Sequence, residues 1–270
     1  AKYKTDHRTA VGPTHRARFN SIGPGVGAGG LARDGKVWVT CIPDLWQLQD
    51  TRGEGKADLR KPIVSGFGVH VAFGGHDMHG LIMGPDGRIY WSIADRATST
   101  NLFPQLQKSF PGLTPELLAN AGAVFRAEPD GSNLELFAIG LRNPQELTFD
   151  DYGNLFTGDN NGDGGDKARW TYVVEGGDYG WRMGWQWLPK MGPWNSEMIW
   201  GLGSSNTATY IVPAVGHVGH GPAGIASYPG TVRAERFKGS FLDADFPGGV
   251  REFKINSRGA CVTGDNRREY

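Results

Sequence analysis

The stretch that decides the fold is HGLIMGPDGRIYWSIAD, residues 79–95. It consists of two short apolar runs on either side of a Gly-Pro-Asp-Gly turn, and Ile89 and Trp91 alternate as residues on one face of a strand do. Asp86-Gly87 supplies the backbone freedom that a tight hairpin turn requires. The stretch therefore predicts an antiparallel hairpin.

The same hairpin pattern occurs three more times along the chain. The other copies are GGLARDGKVWVTC from Gly29, QELTFDDYGNLFTGD from Gln145 and AGIASYPGTVRAERFKGSFLDAD from Ala223. Further strand-like runs follow these hairpins: LWQLQD from Leu45, AVFRAEPDGSNLELFAIG from Ala123, RWTYVVEGG from Arg169 and VREFKI from Val250. Small antiparallel sheets repeated at irregular spacings of roughly 50 to 80 residues are typical of a β-propeller with long loops. We therefore predict an all-β fold, because a two-sheet sandwich would not need the same hairpin four times.

About four propeller blades are visible in the sequence. No strand near the final NRREY is placed to close a ring, and closure is how a propeller removes its sheet edges. We expect residues 1–270 to form a single propeller domain that is incomplete at one or both ends. One short helix, PELLAN, is predicted in a long insertion, with Thr114 as its N-cap and Pro115 in its first position.

Composition excludes several classes of function. The 28 basic and 28 acidic residues cancel, and no stripe of Lys and Arg suits nucleic-acid phosphates or anionic lipids. No apolar run approaches the roughly 18 to 20 residues that span a bilayer. Cys41 and Cys261 are too few for a disulfide scaffold, and the sequence leaves open whether they are free thiols or one bridge.

Three motifs carry a resemblance to a known family. They are HDMHGLIMGPDG at residues 76–87, GLRNPQ at 140–145 and EGGDYGW at 175–181. Their order and spacing resemble those of the soluble quinoprotein glucose/sorbosone dehydrogenases, and the chain is most similar to a bacterial branch labelled membrane-bound dehydrogenases. The resemblance covers residues 29–255, and the combination is specific where each motif alone is weak.

The resemblance implies a six-bladed propeller that binds pyrroloquinoline quinone and calcium on one face. Such a protein oxidises a sugar or a related alcohol by hydride transfer to the quinone. The resemblance further implies a periplasmic or extracellular location, and an electron-accepting cytochrome or other protein as a partner.

The resemblance assigns the catalytic roles to His76 and Arg142. Alcohol oxidation needs a base for the hydroxyl proton, and a neutral imidazole suits that task near pH 7. His79 follows three residues later and would point to the opposite face of an extended strand. A histidine bonded within the central channel is the alternative interpretation of His76. Arg142, Asn143 and Gln145 are the implied cofactor contacts, and Arg-Asn-Pro could instead fix a tight turn.

An oxygen-rich loop, DNNGDGGD at residues 159–166, follows the third hairpin. Carboxylate and amide oxygens spaced by glycines suit calcium, which takes six to eight oxygen ligands. The predicted metal ligands are Asp159, Asn160, Asp163 and Asp166. A solvated turn has the same composition.

The sequence departs from the family at one important place. Glucose-oxidising members carry a lysine that pairs with the quinone, and this chain has Phe246-Pro247 there. Two other functions therefore stay open: a catalytically silent propeller that acts as a binding or assembly module, and a metal-dependent propeller lactonase or hydrolase. A tryptophan-rich segment, residues 181–200, could be a carbohydrate platform or could pack the long loop onto the blades.

Overall fold

The computed structural model describes residues 27–68, 75–96, 98–203, 211–229, 235–258 and 261–270. Within them, the strands form four sheets, which we call blades 1 to 4. Blade 1 contains β1 (Gly27–Arg33), β2 (Lys36–Cys41), β3 (Asp44–Gln49) and β4 (Leu59–Ser65). Blade 2 contains β5 (Met78–Met83), β6 (Ile89–Ile93), β7 (Gly122–Ala127) and β8 (Glu135–Leu141).

Blades 3 and 4 follow the same plan. Blade 3 contains β9 (Pro144–Phe149), β10 (Leu155–Asp159) and β11 (Arg169–Val173), with the two-residue β13 (Gly216–His217) at its edge. Blade 4 contains β14 (Gly221–Ser227), β15 (Ser240–Phe246), β16 (Val250–Arg258) and β17 (Cys261–Glu269). Every pairing among these strands is antiparallel, and only β12 (Gly177–Asp178) pairs in parallel, with β8 of blade 2.

The blades are arranged as the repeated hairpins predict. The first strand of each blade lies beside the first strand of the next, in the order β1, β5, β9 and β14. Asp34 and Gly35 have φ values of 50° and 74°, so the turn between β1 and β2 uses the left-handed conformations that Asp-Gly supplies. The all-β propeller prediction is confirmed, whereas the extent of the domain stays a prediction.

Helices in the described residues are confined to loops. They are α1 (Phe103–Leu106), α2 (Pro115–Asn120) and α3 (Pro193–Ser196), with 3₁₀ turns at Thr100–Leu102, Met183–Trp187, Pro189–Met191 and Glu235–Phe237. The Oγ1 atom of Thr114 accepts a hydrogen bond from the N–H of Leu117 at 3.1 Å, so the predicted cap of α2 is confirmed. None of these helices has the length and apolar character that crossing a membrane requires.

The core is divided among the spaces between blades. Trp38, Trp91 and Phe125 belong to the largest buried cluster, which blades 1 and 2 share with α2. A second cluster lies between blades 2 and 3, and a third packs Phe156 and Trp170 of blade 3 against Phe241 of blade 4. Cys41 is a buried free thiol whose pKa is raised by burial, while the side chain of Cys261 lies outside the described part.

Candidate functional site

An aspartate lies within two residues of the last residue of the second strand in blades 2, 3 and 4. These residues are Asp95, Asp159 and Asp245, and all three carboxylates are fully buried. Asp159 pairs in register with Pro144, and Asp245 pairs with Pro222, so these two occupy equivalent positions. Each carboxylate binds the residues that enter the first strand of its own blade. The three aspartates therefore mark one loop face of the propeller, where the predicted site residues also lie.

In blade 2 this aspartate holds the imidazole of His76. The Nδ1 atom of His76 lies 2.8 Å from Oδ1 of Asp95, and both side chains are buried. His76 precedes β5 and Asp95 follows β6. Because β5 and β6 form an antiparallel hairpin, these two positions lie side by side. A histidine oriented in this way by a buried carboxylate can act as a general base through its other ring nitrogen.

Trp181 connects this pair with Arg142. Its indole Nε1 donates a hydrogen bond to Oδ2 of Asp95 at 2.8 Å, and the guanidinium carbon of Arg142 lies 5.6 Å from the centre of its ring. The backbone N–H of Asp95 also donates to the carbonyl of Arg142 at 2.8 Å. The structure therefore brings His76 and Arg142 into one network. Sequence reasoning missed the role of Trp181, because its partner Asp95 lies 86 residues away in the chain.

Arg142 and Asn143 are fixed by the aspartate of blade 3. The backbone N–H groups of both residues donate to Oδ1 of Asp159, at 2.9 and 2.8 Å. Pro144 then begins β9, as expected for a residue that enforces an extended predecessor. The motif therefore does form the tight turn that enters β9, and this turn places the side chains of Arg142 and Asn143 at the loop face.

The side chains of this motif include buried polar atoms without a partner among the described residues. These atoms are Nε of Arg142 and Oδ1 of Asn143, and Oδ1 of Asp77 is a third on the loop face. Gln145 lies beside the His76 loop. Its Nε2 atom is 3.6 Å from the position that a Cβ atom on Gly75 would occupy. An unpaired buried polar atom is costly, so these atoms suit a polar ligand. The Nε–H of Arg142 can donate to a carbonyl or carboxylate oxygen, whereas Oδ1 of Asn143 and Oδ1 of Asp77 can accept from a hydroxyl or N–H group.

The neighbouring residues of the His76 loop bond within the loop itself. The Nε2 atom of His79 lies 2.7 Å from the carbonyl oxygen of Gly75, and burial lowers the pKa of this imidazole. Burial raises the pKa of Asp77, and the nearby imidazoles of His79 and His76 oppose that rise. His76, rather than His79, is therefore the histidine that a buried carboxylate orients.

Three of the four predicted metal ligands accept hydrogen bonds or form ion pairs within the protein. Asp159 receives two backbone N–H groups and the guanidinium of Arg169, and Oδ2 of Asp163 pairs with Arg142 at 2.8 Å. Asp166 accepts from the N–H of Gly162 and from Nε1 of Trp194, while Asn160 lies near Gly221. In the part of the chain that the structure covers, no group of three or more His, Cys, Asp or Glu side chains could hold a metal. These contacts do not fit a calcium site built from the four predicted side chains.

Blade 4 presents carboxylates near the position where the resemblance implies a lysine. Phe246 is exposed, and Asp243 and Asp245 precede it on β15. Asp243 is fully buried, and neither of its carboxylate oxygens has a hydrogen-bond partner among the described residues. Burial, together with the charge of Asp245, raises the pKa of Asp243 to about 7. The sequence pattern does not indicate this carboxylate, because its lack of hydrogen-bond partners depends on which residues pack against β15.

Comparisons with known proteins agree with this architecture. Quinoprotein glucose dehydrogenase B of Acinetobacter calcoaceticus is 29% identical over 124 residues, which cover 39% of this chain and 26% of that protein. The PQQ-bound aldose sugar dehydrogenase of Streptomyces coelicolor superposes with a TM-score of 0.56 at 17% identity, covering 87% of this chain and 63% of that one. A Thermus thermophilus oxidoreductase described as a glucose dehydrogenase gives 0.59 at 16% identity, covering 90% and 71%.

These similarities establish the fold, and the chain spans only about a quarter of the curated relative that it matches. A family model covers more of the sequence. It matches residues 28–181, from β1 through the tryptophan that bonds Asp95, and thus more than half of the chain. The protein therefore belongs to the DUF7133 family, which is described as a domain of unknown function.

Proposed function

We propose that the protein is a quinone-dependent dehydrogenase that oxidises a hydroxyl group of a sugar or a related alcohol. The observation that carries the proposal is the buried pair of His76 and Asp95, whose nearest atoms lie 2.8 Å apart. Removing a hydride from an alcohol carbon requires that the hydroxyl proton leave as well. An imidazole held in one orientation by a carboxylate is suited to accept that proton.

The residues around His76 support its role as the base. Asp95 bonds Nδ1 and leaves Nε2 as the ring nitrogen that accepts the proton. The carboxylate of Asp95 stabilises the imidazolium that forms, and the indole N–H of Trp181 keeps that carboxylate in place. Because the pair is buried, its electrostatic interaction is stronger than it would be in water.

Pyrroloquinoline quinone is the cofactor that we propose, and when bound it supplies the acceptor for the hydride. Arg142, Asn143 and Gln145 would hold it, with the buried Nε–H of Arg142 donating to one of its oxygens and the amide N–H groups of Asn143 and Gln145 available as further donors. The fold that this chain shares with a PQQ-bound aldose sugar dehydrogenase supports this choice. No step relies on calcium, because the three predicted carboxylate ligands, Asp159, Asp163 and Asp166, are bonded to protein donors. A periplasmic or extracellular location and a cytochrome or other electron acceptor are parts of the same proposal.

Quinone binding and turnover test the proposal separately. The 270-residue chain is titrated with pyrroloquinoline quinone while tryptophan fluorescence is followed, and dye reduction is then measured with aldoses and polyols. We expect His76→Ala to bind the quinone but to lose roughly 10² to 10⁴ in rate, the usual cost of removing a general base. His220→Ala is the matched control, because His220 is exposed and only its backbone N–H contacts an aspartate. Equal rates for wild type and His76→Ala would contradict the proposal.

A silent binding propeller is the second candidate. Two observations favour it: Arg142 is bonded to Asp163, and Phe246-Pro247 stands where the resemblance implies the lysine that pairs with the quinone. If the quinone does not quench the tryptophan fluorescence of the wild-type chain, with or without added calcium, the silent propeller is the better assignment. The metal-dependent lactonase alternative has no comparable support, since the described residues contain no metal cluster.

A further inference from the structure

The oxygen-rich loop at residues 159–166 is organised by cations and N–H donors that belong to the protein itself. Asp159 is fully buried and pairs with Arg169, which is also fully buried. Asp166 accepts hydrogen bonds from the N–H groups of Gly162 and Gly164 at 2.6 and 3.2 Å, and from Nε1 of Trp194 at 2.7 Å. Two of the three carboxylates are thus satisfied without a metal.

Arg142 binds two further oxygens of the loop. Its Nη1 donates to the carbonyl of Asn161, and its Nη2 donates to Oδ2 of Asp163 at 2.8 Å. The Arg142 side chain is buried and lies over the ring of Trp181, so its position is fixed on a second side. A planar guanidinium that binds two oxygens of one loop provides positive charge at the place where an oxygen-rich loop would otherwise gather a cation.

One side of the loop packs against Met191, whose Cε and sulfur atoms lie close to Gly162 and Gly164, while residues 163–165 are exposed. Calcium takes six to eight oxygens at about 2.3 to 2.6 Å, so an ion here would compete with Arg142 for the carbonyl oxygen of Asn161 and for Oδ2 of Asp163. The ion would also face the permanent charge of Arg142.

We propose that the guanidinium of Arg142 takes the place of a metal ion in this loop, so that residues 159–166 fold without calcium. The inference concerns the stability of the loop and does not depend on the proposed function. It further implies that a ligand at the outer nitrogens of Arg142 must compete with Asp163 and with the carbonyl of Asn161 for them. Asp163 is the partner that solvent can reach, because its side chain is largely exposed whereas that of Arg142 is buried.

Thermal unfolding of the full chain tests the inference. We expect the Tm of the wild type to be the same in EGTA and in millimolar calcium. Arg142→Met removes the charge but keeps the length of the side chain, and should lower the Tm by several degrees, a shift of about 2 to 4 °C per kcal/mol being usual at this size. Because the loop then lacks its cation, millimolar calcium should raise the Tm of Arg142→Met by binding only the folded state.

The matched control is Arg182→Met. Arg182 pairs with Asp178 at 2.6 Å outside the loop, so this variant should show no response to calcium. Asp163→Asn provides a second variant if Arg142→Met does not fold, and its Tm should also be independent of EGTA. A drop in the wild-type Tm on chelation would overturn the inference. So would an Arg142→Met protein that folds but does not respond to calcium.

Discussion

Asp95 of blade 2 and Asp159 of blade 3 end their hairpins in similar places but bind different groups. Asp159 accepts hydrogen bonds from the backbone N–H groups of Arg142 and Asn143 and pairs with Arg169. Asp95 instead binds a histidine side chain and an indole N–H. Asp245 of blade 4 resembles Asp159, because it accepts from the N–H groups of His220 and Gly221. The repeated aspartate thus ties the backbone in two blades, whereas in blade 2 it orients an imidazole.

This difference separates residues that maintain the fold from residues that suit chemistry. A backbone tie lowers the free energy of the folded state, and its loss is measured as instability. An aspartate that orients an imidazole contributes to the transition state, and its loss is measured as a lower rate. Substituting each aspartate in turn therefore tests whether the two roles are in fact separate.

The largest effect should come from Asp95→Asn, measured as a rate. An amide cannot stabilise the imidazolium of His76 as a carboxylate does. Its N–H group can also donate to Nδ1, which would place the proton of the neutral ring on Nε2 and prevent that nitrogen from acting as the base. We expect a loss of up to about 10⁴ in dye reduction, the scale found when an orienting aspartate becomes asparagine, with little change in quinone binding. The control is Asp245→Asn, assayed well below its Tm. A similar loss of rate in both variants would mean that Asp95 is only another structural tie.

The next largest effect should come from Asp159→Ala, measured as stability. The substitution leaves Arg169 buried without its carboxylate and removes the acceptor of two backbone N–H groups. Breaking a buried ion pair from one side costs about 3 to 5 kcal/mol, so the free energy of unfolding in urea should fall by that amount. Glu175→Ala is the control, since its side chain is largely exposed and Arg126 keeps its pair with Glu135, so it should cost less than about 1 kcal/mol. Equal losses would show that Asp159 has no special structural role.

The fold was predictable from sequence because each hairpin is local. Alternating residues and an Asp-Gly turn define β1 with β2 and β5 with β6 without knowledge of the other blades. The cap of α2 was predictable for the same reason, since Thr114 bonds an N–H three residues away.

The site was predictable only in part, because its contacts depend on register. The motifs identified His76 and Arg142, but not the pairing of His76 with a carboxylate 19 residues later. That pairing depends on the hairpin register, which shifts between His79 and Leu81. The composition of residues 159–166 suggested calcium because it is rich in carboxylate and amide oxygens. Composition does not show which of these oxygens already accept hydrogen bonds from protein donors.

The smallest of these effects concerns Asp243, which compares blades 3 and 4 directly. Asp243 pairs with Ile225 on β14, as Thr157 pairs with Leu147 on β9, so the two residues occupy equivalent positions. The hydroxyl of Thr157 donates to the carbonyl of Glu146 at 2.6 Å. An ionised aspartate has no proton to donate, and Asp243 is buried near Asp245 and opposite Arg251. Ionised Asp243 therefore destabilises blade 4, whereas the neutral Thr157 carries no such cost in blade 3.

The pH dependence of stability should reveal this charge. The pKa of Asp243 is about 7 in the folded protein and about 3.9 in an unfolded chain. Between these values the folded state holds a proton that the unfolded state has released, so this group makes the free energy of unfolding fall as the pH rises from about 4 to 7. Asp243→Asn keeps the shape and removes the titration. Relative to the wild type, the stability of this variant should increase across that pH range, and above pH 7 the variant should be more stable by on the order of 2 kcal/mol.

Asp245→Asn should instead be less stable than the wild type above pH 7, because the N–H groups of His220 and Gly221 lose a charged acceptor. Urea unfolding of the three proteins at pH 5, 6, 7 and 8 measures both differences. A constant difference between wild type and Asp243→Asn over this range would mean that Asp243 ionises at its ordinary pKa, with Arg251 compensating its charge.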